Sequence, residues 1–525
     1  MEVLSRYSRW SRDIPFRRIT HTFTPFVRFL LLSLPCYCFC ALLHIFYLRR
    51  SRLRLPPRPR GVPIIGHLHL LGTNPHRSLW ELSKRYGPLM SLRFGSVPVI
   101  IASSPATAHL ILQKYDHIFA GRTRPAVAMQ VHECKNIIFS QPGPYLKLMR
   151  QLCFSELFIN KRLEFSRSFI FNEIRHLLRE VVGSSDKVFV REKLYEITVS
   201  IISRMTIGKN AKDIVSNVPV GTSNSLLSAL LEVIDLLGIF NIGEYIPLLG
   251  WMDFQGMSRR TKPVSQKLRT IFGEVINERR KERQKRDSET ADADFLDVLL
   301  TTSSCQTEVP ITDLHITGVL GDLFGAGIDT STVTIEWALA ELLTHPHILK
   351  KVQVELSSVV GSTRLVQESD VENLPYLRAV VKETMRLHPA VPLLLPHAST
   401  QQCQVNGYDI PSGTQVYVNV WAIGRDPNVW ENPLKFHPER FLDSKTDVRG
   451  HHFELLPFGS GRRACPGLAL GINNVHLMLA NLVHVFEWAT LTELDMTEKF
   501  GIVCALANPL VAKAKLRVPR QVIEA

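Results

Sequence analysis

The chain has 525 residues, 45% of them hydrophobic and 21% charged, a composition that can bury a large core and is not that of a disordered protein. Its formal net charge is +14, but residues 1–60 alone hold twelve arginines, no lysine and only Glu2 and Asp13 as acids. That distribution argues against a nucleic-acid-binding body, whose basic stripe would run through the fold itself.

In chain order, residues 1–28 form a basic extension (Ser5, Arg6, Ser8, Arg9, Ser11, Arg12), whose acid-poor composition also suits an organelle transit peptide. Phe29 to Leu48 is apolar and uncharged, broken only by Ser33, Pro35 and His44, and is long enough to cross a bilayer once. Arg49, Arg50, Arg52, Arg54, Arg58 and Arg60 follow this anchor, against Arg12, Arg17, Arg18 and Arg28 before it, which favours a cytosolic body. Residues 49–66 contain the run from Leu55 to Pro63, whose prolines cannot continue a helix and predict a stiff hinge.

Residues 67–525 form the body. Helical periodicity dominates, so the fold class expected is mostly α with small β-sheets, the strands being Leu89–Phe94, Val97–Ala102 and Gln415–Val420. A charged helical stretch near Lys267–Arg286 runs into a loop at Asp287–Thr290. Nine scattered cysteines give neither a zinc spacing nor a disulfide framework.

One long helix is predicted from about Thr312 to Thr344, opened by Thr312 and Asp313 and stopped by His345-Pro346. At its middle lies Gly325-Ala326-Gly327-Ile328-Asp329-Thr330-Ser331. Each interior glycine costs about 1 kcal/mol relative to alanine, which suggests a loosened turn with room for dioxygen and freed carbonyls for water. Thr330 supplies a hydroxyl and Asp329 an acid that can feed it protons. Further on, Glu383 and Arg386 stand three apart on one helical face.

Near the C-terminus the chain reads Phe458-Gly459-Ser460-Gly461-Arg462-Arg463-Ala464-Cys465-Pro466-Gly467. Glycines allow close approach, Arg463 offers a fork suited to a carboxylate, and cationic neighbours with backbone N–H groups favour an ionised Cys465. A thiolate so held suits an iron ligand that promotes O–O cleavage.

This segment resembles the haem-ligand signature of the cytochrome P-450 family, Phe-x-x-Gly-x-Arg-x-Cys-x-Gly, without a mismatch. The chain is similar to a plant-type microsomal member over roughly residues 55 to 525. Gly325 to Thr330 resembles the family's Ala/Gly-Gly-x-Asp/Glu-Thr motif. Glu383-Thr384-Met385-Arg386 and Pro438-Glu439-Arg440-Phe441 match its Glu-x-x-Arg and Pro-Glu-Arg-Phe elements.

The resemblance implies the cytochrome P-450 fold with an N-terminal transmembrane anchor, and a haem held by Cys465 as axial iron ligand. Phe458, Gly459, Gly467 and Arg463 would lie around it. Arg150 and His397 would reach the propionates, although Leu146 stands where the family usually has Trp. Asp329 and Thr330 would serve oxygen activation. Glu383, Arg386 and Arg440 would form a buried support beneath the ligand loop.

The implied reaction is a monooxygenation of a small apolar substrate by O2, giving ROH and water. No Gly-x-Gly-x-x-Gly stands between a strand and a helix, so electrons must come from outside. NADPH-cytochrome P-450 reductase at the endoplasmic reticulum membrane is the implied donor, with Lys147 and Arg462 as docking candidates. The expected pocket draws on residues about 120–140, Leu323, Phe324, Val391, Leu394 and Leu395, whose apolar character suits a phenolic phenylpropanoid or flavonoid, or alternatively a terpenoid. A haem sensor or a non-oxidative isomerase would use the same fold, and the pair Asp329 and Thr330 speaks against both.

Overall fold

The computed structural model describes residues 33, 34, 37, 53–210, 226–285, 294–305 and 309–524. The basic extension 1–28, the loop at Asp287–Thr290 and the anchor at 29–48, apart from Ser33, Leu34 and Tyr37, lie outside the described residues. The chain divides into two units, Met1–Arg54 with Val62–Ile64, and Leu55–Gly61 with Ile65–Ala525. The second holds the helices and sheets, and it is mostly helical with four small sheets.

Within the second unit, Leu55–Gly61 is held to its neighbours, among the described residues, through its carbonyls. Pro56 O accepts from Ser91 Oγ at 2.8 Å, Pro57 O from Ser91 N at 3.0 Å and Pro59 O from His67 Nε2 at 3.0 Å. A proline-rich segment has few N–H groups to offer, so it lies along the body as an acceptor edge.

The largest sheet runs Leu89–Phe94, Val97–Ala102, Gln415–Val418, His397–Ala398, Gly121–Arg122 in space. The first pair is an antiparallel hairpin with both strands where the alternation predicts them, and Gln415–Val418 joins it in parallel. The third strand ends two residues short of the expected Val420. Asn419 leaves the sheet to accept from Ala422 N at 3.0 Å, capping the short helix Val420–Ile423. The far end of the sheet sets Arg122 opposite His397, which matters for the site.

The long helix spans Asp313–Thr344, with Thr312 and His315 forming its N-terminal box and Pro346 beginning the next helix. It runs through the main core, packed chiefly on Val190–Ile207 and flanked by Leu468–Val485. Contrary to the expected loosened turn, the helix continues without a break through Gly325–Ser331. Gly327 has a packing reason instead: a Cβ there would stand 2.8 Å from Ile202 Cδ1. The Ala326 carbonyl is also not free, since it accepts from Thr330 Oγ1 at 2.7 Å.

The helix Met257–Lys285 starts ten residues before the predicted charged stretch and carries Pro263 in its second turn. Among the described residues one helix, Leu468–Val485, is long and apolar enough to cross a membrane, but 67% of it is buried and it belongs to the core.

At the C-terminal end of the long helix, Glu341 accepts from His388 Nε2 at 2.6 Å and from His345 Nδ1 at 3.2 Å. Burial works to raise the Glu341 pKa, but the hydrogen bonds from His345 and His388 outweigh it and hold the carboxyl at about 2. The same Glu341 contact raises His345 above its ordinary 6.5. The histidine's contribution is therefore complete below pH 6.5 and fades as pH rises through its folded value. The carboxylate's is complete above pH 4.5 and fades as pH falls towards 2. His345 is about one-third exposed, which limits its share to about 1 kcal/mol. His345→Gln is expected to remove the loss of melting temperature above pH 6.5 relative to the parent protein, as measured by thermal unfolding from pH 5 to 9.

Candidate haem site

Phe458 to Gly467 forms a tight loop leading into the helix Leu468–Val485. Cys465 N donates to Phe458 O at 3.0 Å and Ala464 N to Gly461 O at 3.0 Å, which closes the loop on itself. Gly461 has φ +68°, and a Cβ there would meet Leu112 O at 1.9 Å, so no other residue fits. Phe458 packs against the core beside Gly471.

Cys465 is an exposed residue just before a helix N-terminus, yet closely surrounded by protein. Desolvation by the surrounding protein raises its pKa, while the Gly467 N–H and the Arg150 charge pull the other way. Full ionisation therefore needs a further positive charge at the sulfur, as an iron centre supplies.

Four basic side chains converge beside this loop. Arg463 donates from Nε to Ala120 O at 2.7 Å, from Nη1 to Ile137 O at 3.1 Å and from Nη2 to Ser140 O. Arg150 donates to Ala464 O at 3.0 Å and His397 Nδ1 to Phe119 O at 2.8 Å. The fourth is Arg122, which the sequence reading missed. Its Nη1 donates to Leu395 O at 2.7 Å and Pro396 O at 3.1 Å, and its buried Nε has no partner among the described residues.

The electrostatics of this group point to an absent anion. Burial, then the charges of Arg463 and Arg150, bring Arg122 down to about 9. Burial and Arg150 bring Arg463 to about 10, and burial with Arg122 drives His397 well below its ordinary value. Cations buried together without a carboxylate are unstable unless an anion arrives, and the two propionates of a haem match that requirement. The residues present therefore fit the expected cofactor.

Asp329 and Thr330 lie side by side on the long helix but face different neighbours. Thr330 is half-buried with its hydroxyl on Ala326 O, whereas Asp329 is buried and accepts from Tyr195 Oη at 2.6 Å. Burial raises the Asp329 pKa, and Tyr195 and Arg191 counter it in part. Tyr195, which no sequence motif marks, is itself only half-buried.

Two turns earlier, buried Asp322 accepts from Asn136 Nδ2 at 2.6 Å, Ile137 N at 2.7 Å and Ile138 N at 2.9 Å, tying the loop 136–138 to the long helix. An acid in an otherwise apolar helical run was the signal available for it.

Glu383 and Arg386 are wholly buried and paired twice, at 2.7 and 2.8 Å, and Arg440 Nε donates to the same carboxylate at 3.1 Å. Arg386 further donates to the carbonyls of Gly424, Pro433 and Lys435. Lys147 and Arg462 are exposed, and Arg462 stands 3.4 Å from Asp116.

Of the expected pocket residues, Val391 and Leu394 line an apolar cavity together with Val127 and Phe139. Phe324 does not, being fully buried against Phe272, and the carbonyl of Leu395 serves Arg122.

A second set of ligand-type atoms, His76, Glu498 and Cys504, lies within 4.8 Å of one another. Glu498 is already bound by His76 at 3.0 Å, Arg77 at 2.7 Å and Trp421 Nε1 at 3.1 Å, and burial pushes the Cys504 thiol up. These contacts make it a locked polar junction.

The family model described as Cytochrome P450 matches residues 56–511. The chain is 40% identical to a flavonoid 3',5'-hydroxylase of Campanula medium, covering 89% of this chain and 92% of that protein. It is 39% identical to a geraniol 8-hydroxylase of Catharanthus roseus, covering 89% and 95%. Among solved structures, a zebra fish cytochrome P450 with abiraterone superposes with a TM-score of 0.69 at 26% identity, covering 84% of this chain and 100% of that one.

Proposed function

Because the chain belongs to the cytochrome P450 family, and is thus a haem monooxygenase using O2, a redox partner and a small substrate, we propose that it hydroxylates the aromatic ring of a phenolic phenylpropanoid or flavonoid. The overall change is RH + O2 + two electrons + two protons to ROH + water. Bound haem supplies the iron at which dioxygen is reduced and split.

Cys465 would hold the iron as a thiolate, steadied by the Gly467 N–H and Arg150. Arg463, Arg122, Arg150 and His397, each donating to a backbone carbonyl, would receive the propionates. The observation that carries this reading is that cluster of buried bases around one cysteine loop.

Thr330, whose hydroxyl rests on Ala326 O, would turn it to the oxygen side when dioxygen is bound, and Asp329 would take protons by way of half-buried Tyr195. Proton transfer by a positioned acid is worth about 10²–10⁴-fold. Asp329→Asn is therefore expected to lower product formation by about 10²-fold and divert electrons to hydrogen peroxide, with Tyr195→Phe giving a smaller loss of the same kind. Product and peroxide formed per NADPH consumed measure it; unchanged coupling in both variants would remove the relay.

NADPH-cytochrome P-450 reductase supplies the electrons, docking near exposed Lys147 and Arg462. The protein sits on the endoplasmic reticulum membrane by the anchor at 29–48, with the body cytosolic. Exposed Leu248, Trp251 and Phe254, clustered in one surface segment, support contact with lipid.

The apolar, aromatic-walled cavity suits a flat substrate, and the hydroxylase from Campanula favours a flavonoid. Terpenoid hydroxylation is the second reading, favoured by the geraniol 8-hydroxylase relative. A panel of phenolics and terpenoids screened for haem spin-state shifts separates them: phenolic binding is expected, and a response to terpenoids alone would reverse the order.

A further inference from the structure

The cavity that Val391 and Leu394 line has a wall of one-turn helix, Ile242–Tyr245, which brings Glu244 to it. Glu244 is the one carboxylic acid among the lining residues, and none of them is Lys, Arg or His. Around it stand Phe94, Phe240, Tyr245 and Tyr417, with Phe240 stacked on Tyr245 at 4.3 Å. Leu394, which lines the cavity, also lies 3.8 Å from where a Gly459 Cβ would stand, so one wall residue neighbours the cysteine loop.

Glu244 is satisfied on one oxygen only. Ala126 N donates to Oε1 at 2.8 Å and Asn241 Nδ2 to the same atom at 3.2 Å. Asn241 is fixed in turn because its Oδ1 accepts from Gly243 N at 3.1 Å. Neither a hydrogen bond to Oε2 nor a cation within 4.0 Å of the carboxylate occurs among the described residues. Burial accordingly raises the Glu244 pKa, with the two N–H donors opposing it.

Glu244 is half-buried, and an acceptor partly desolvated at an apolar cavity leaves a strong hydrogen bond unmade, which a ligand that donates there gains. We propose that Glu244 Oε2 is the specificity contact for a hydroxyl on the end of the substrate remote from the haem. A hydroxyl fits better than an ammonium because it crosses apolar walls at a smaller desolvation cost and because Tyr245 and Tyr417, whose hydroxyls lie 3.4 Å apart, are neutral partners of the same kind.

This rests on the cavity being the substrate's, so the probe must bind whatever the natural substrate is. Imidazoles that coordinate haem iron serve, carrying alkyl chains of graded length that end in hydroxyl, methyl, methoxy or amine, with affinity read from the Soret shift of the holoenzyme.

At the best chain length the hydroxyl ligand is expected to bind about 10- to 100-fold tighter than the methyl one, with the acceptor-only methoxy ligand no better than methyl. Glu244→Gln keeps the Oε1 contacts and turns the other atom into a donor, so it should weaken the hydroxyl preference and raise methoxy above methyl. Binding of all four ligands within threefold, an unchanged ranking in Glu244→Gln, or a tighter fit for the amine each overturns the proposal. Failure of the phenolic reading appears separately, as silence of phenolics in the spin-state panel while the hydroxyl preference persists.

Discussion

Cys465→His is expected to lose substrate oxidation entirely and to replace the long-wavelength band of the reduced carbon monoxide complex by that of a nitrogen-ligated haem. The loop around residue 465 is too tightly closed to offer another sulfur, since Gly461 is pressed against Leu112 O and Cys465 N is held on Phe458 O. Histidine in that place is a neutral ligand and gives up the electron density that a thiolate provides for O–O cleavage. Haem retention should survive in part, because Arg122, Arg150, Arg463 and His397 are untouched and would still hold the propionates. Loss of turnover with retained haem is therefore the specific outcome, and equal loss of haem and activity would signal a merely structural cysteine.

Arg386→Ala should have the largest effect on stability. It breaks a double contact to wholly buried Glu383 and leaves the carbonyls of Gly424, Pro433 and Lys435 without their donor. Removing one partner of such a pair costs about 3–5 kcal/mol, a large share of the 5–15 kcal/mol that holds a typical domain. Arg440→Ala should cost less, since Arg440 makes one contact to Glu383 at 3.1 Å and one to Glu431 O. Arg386→Lys cannot form the fork and should fall between them. Denaturant unfolding followed by haem absorbance ranks the three; an Arg386→Ala protein as stable as the parent would remove the support role.

Much of the fold was legible because its signals are local. The hairpin Leu89–Phe94 with Val97–Ala102 follows from alternation, and the long helix from its cap and its terminal proline. What escaped depends on partners distant in sequence. Asn419 ends a strand by capping the next helix, and Gly327 answers to Ile202 more than a hundred residues away.

The site divides in the same way. Cys465, Arg463, Glu383 and Arg386 sit in dense motifs, so sequence sufficed to single them out. Arg122 has no such frame, and only the pairing of Gly121–Arg122 with His397–Ala398 carries it to the other bases. Tyr195 meets Asp329 across two packed helices, and Glu244 reaches the cavity through a one-turn helix without periodicity. Phe324 lies outside the cavity of Val391 and Leu394, since helical spacing alone does not say which face of the helix meets it.

Iron K-edge absorption of the purified ferric protein tests the account most directly, by counting sulfur atoms bound to the metal. One sulfur neighbour is predicted in the parent protein and in Cys153→Ser and Cys504→Ala, two variants that remove other buried thiols, and none in Cys465→His. A shell of nitrogen and oxygen alone in the parent, or a sulfur that persists in Cys465→His, would contradict it.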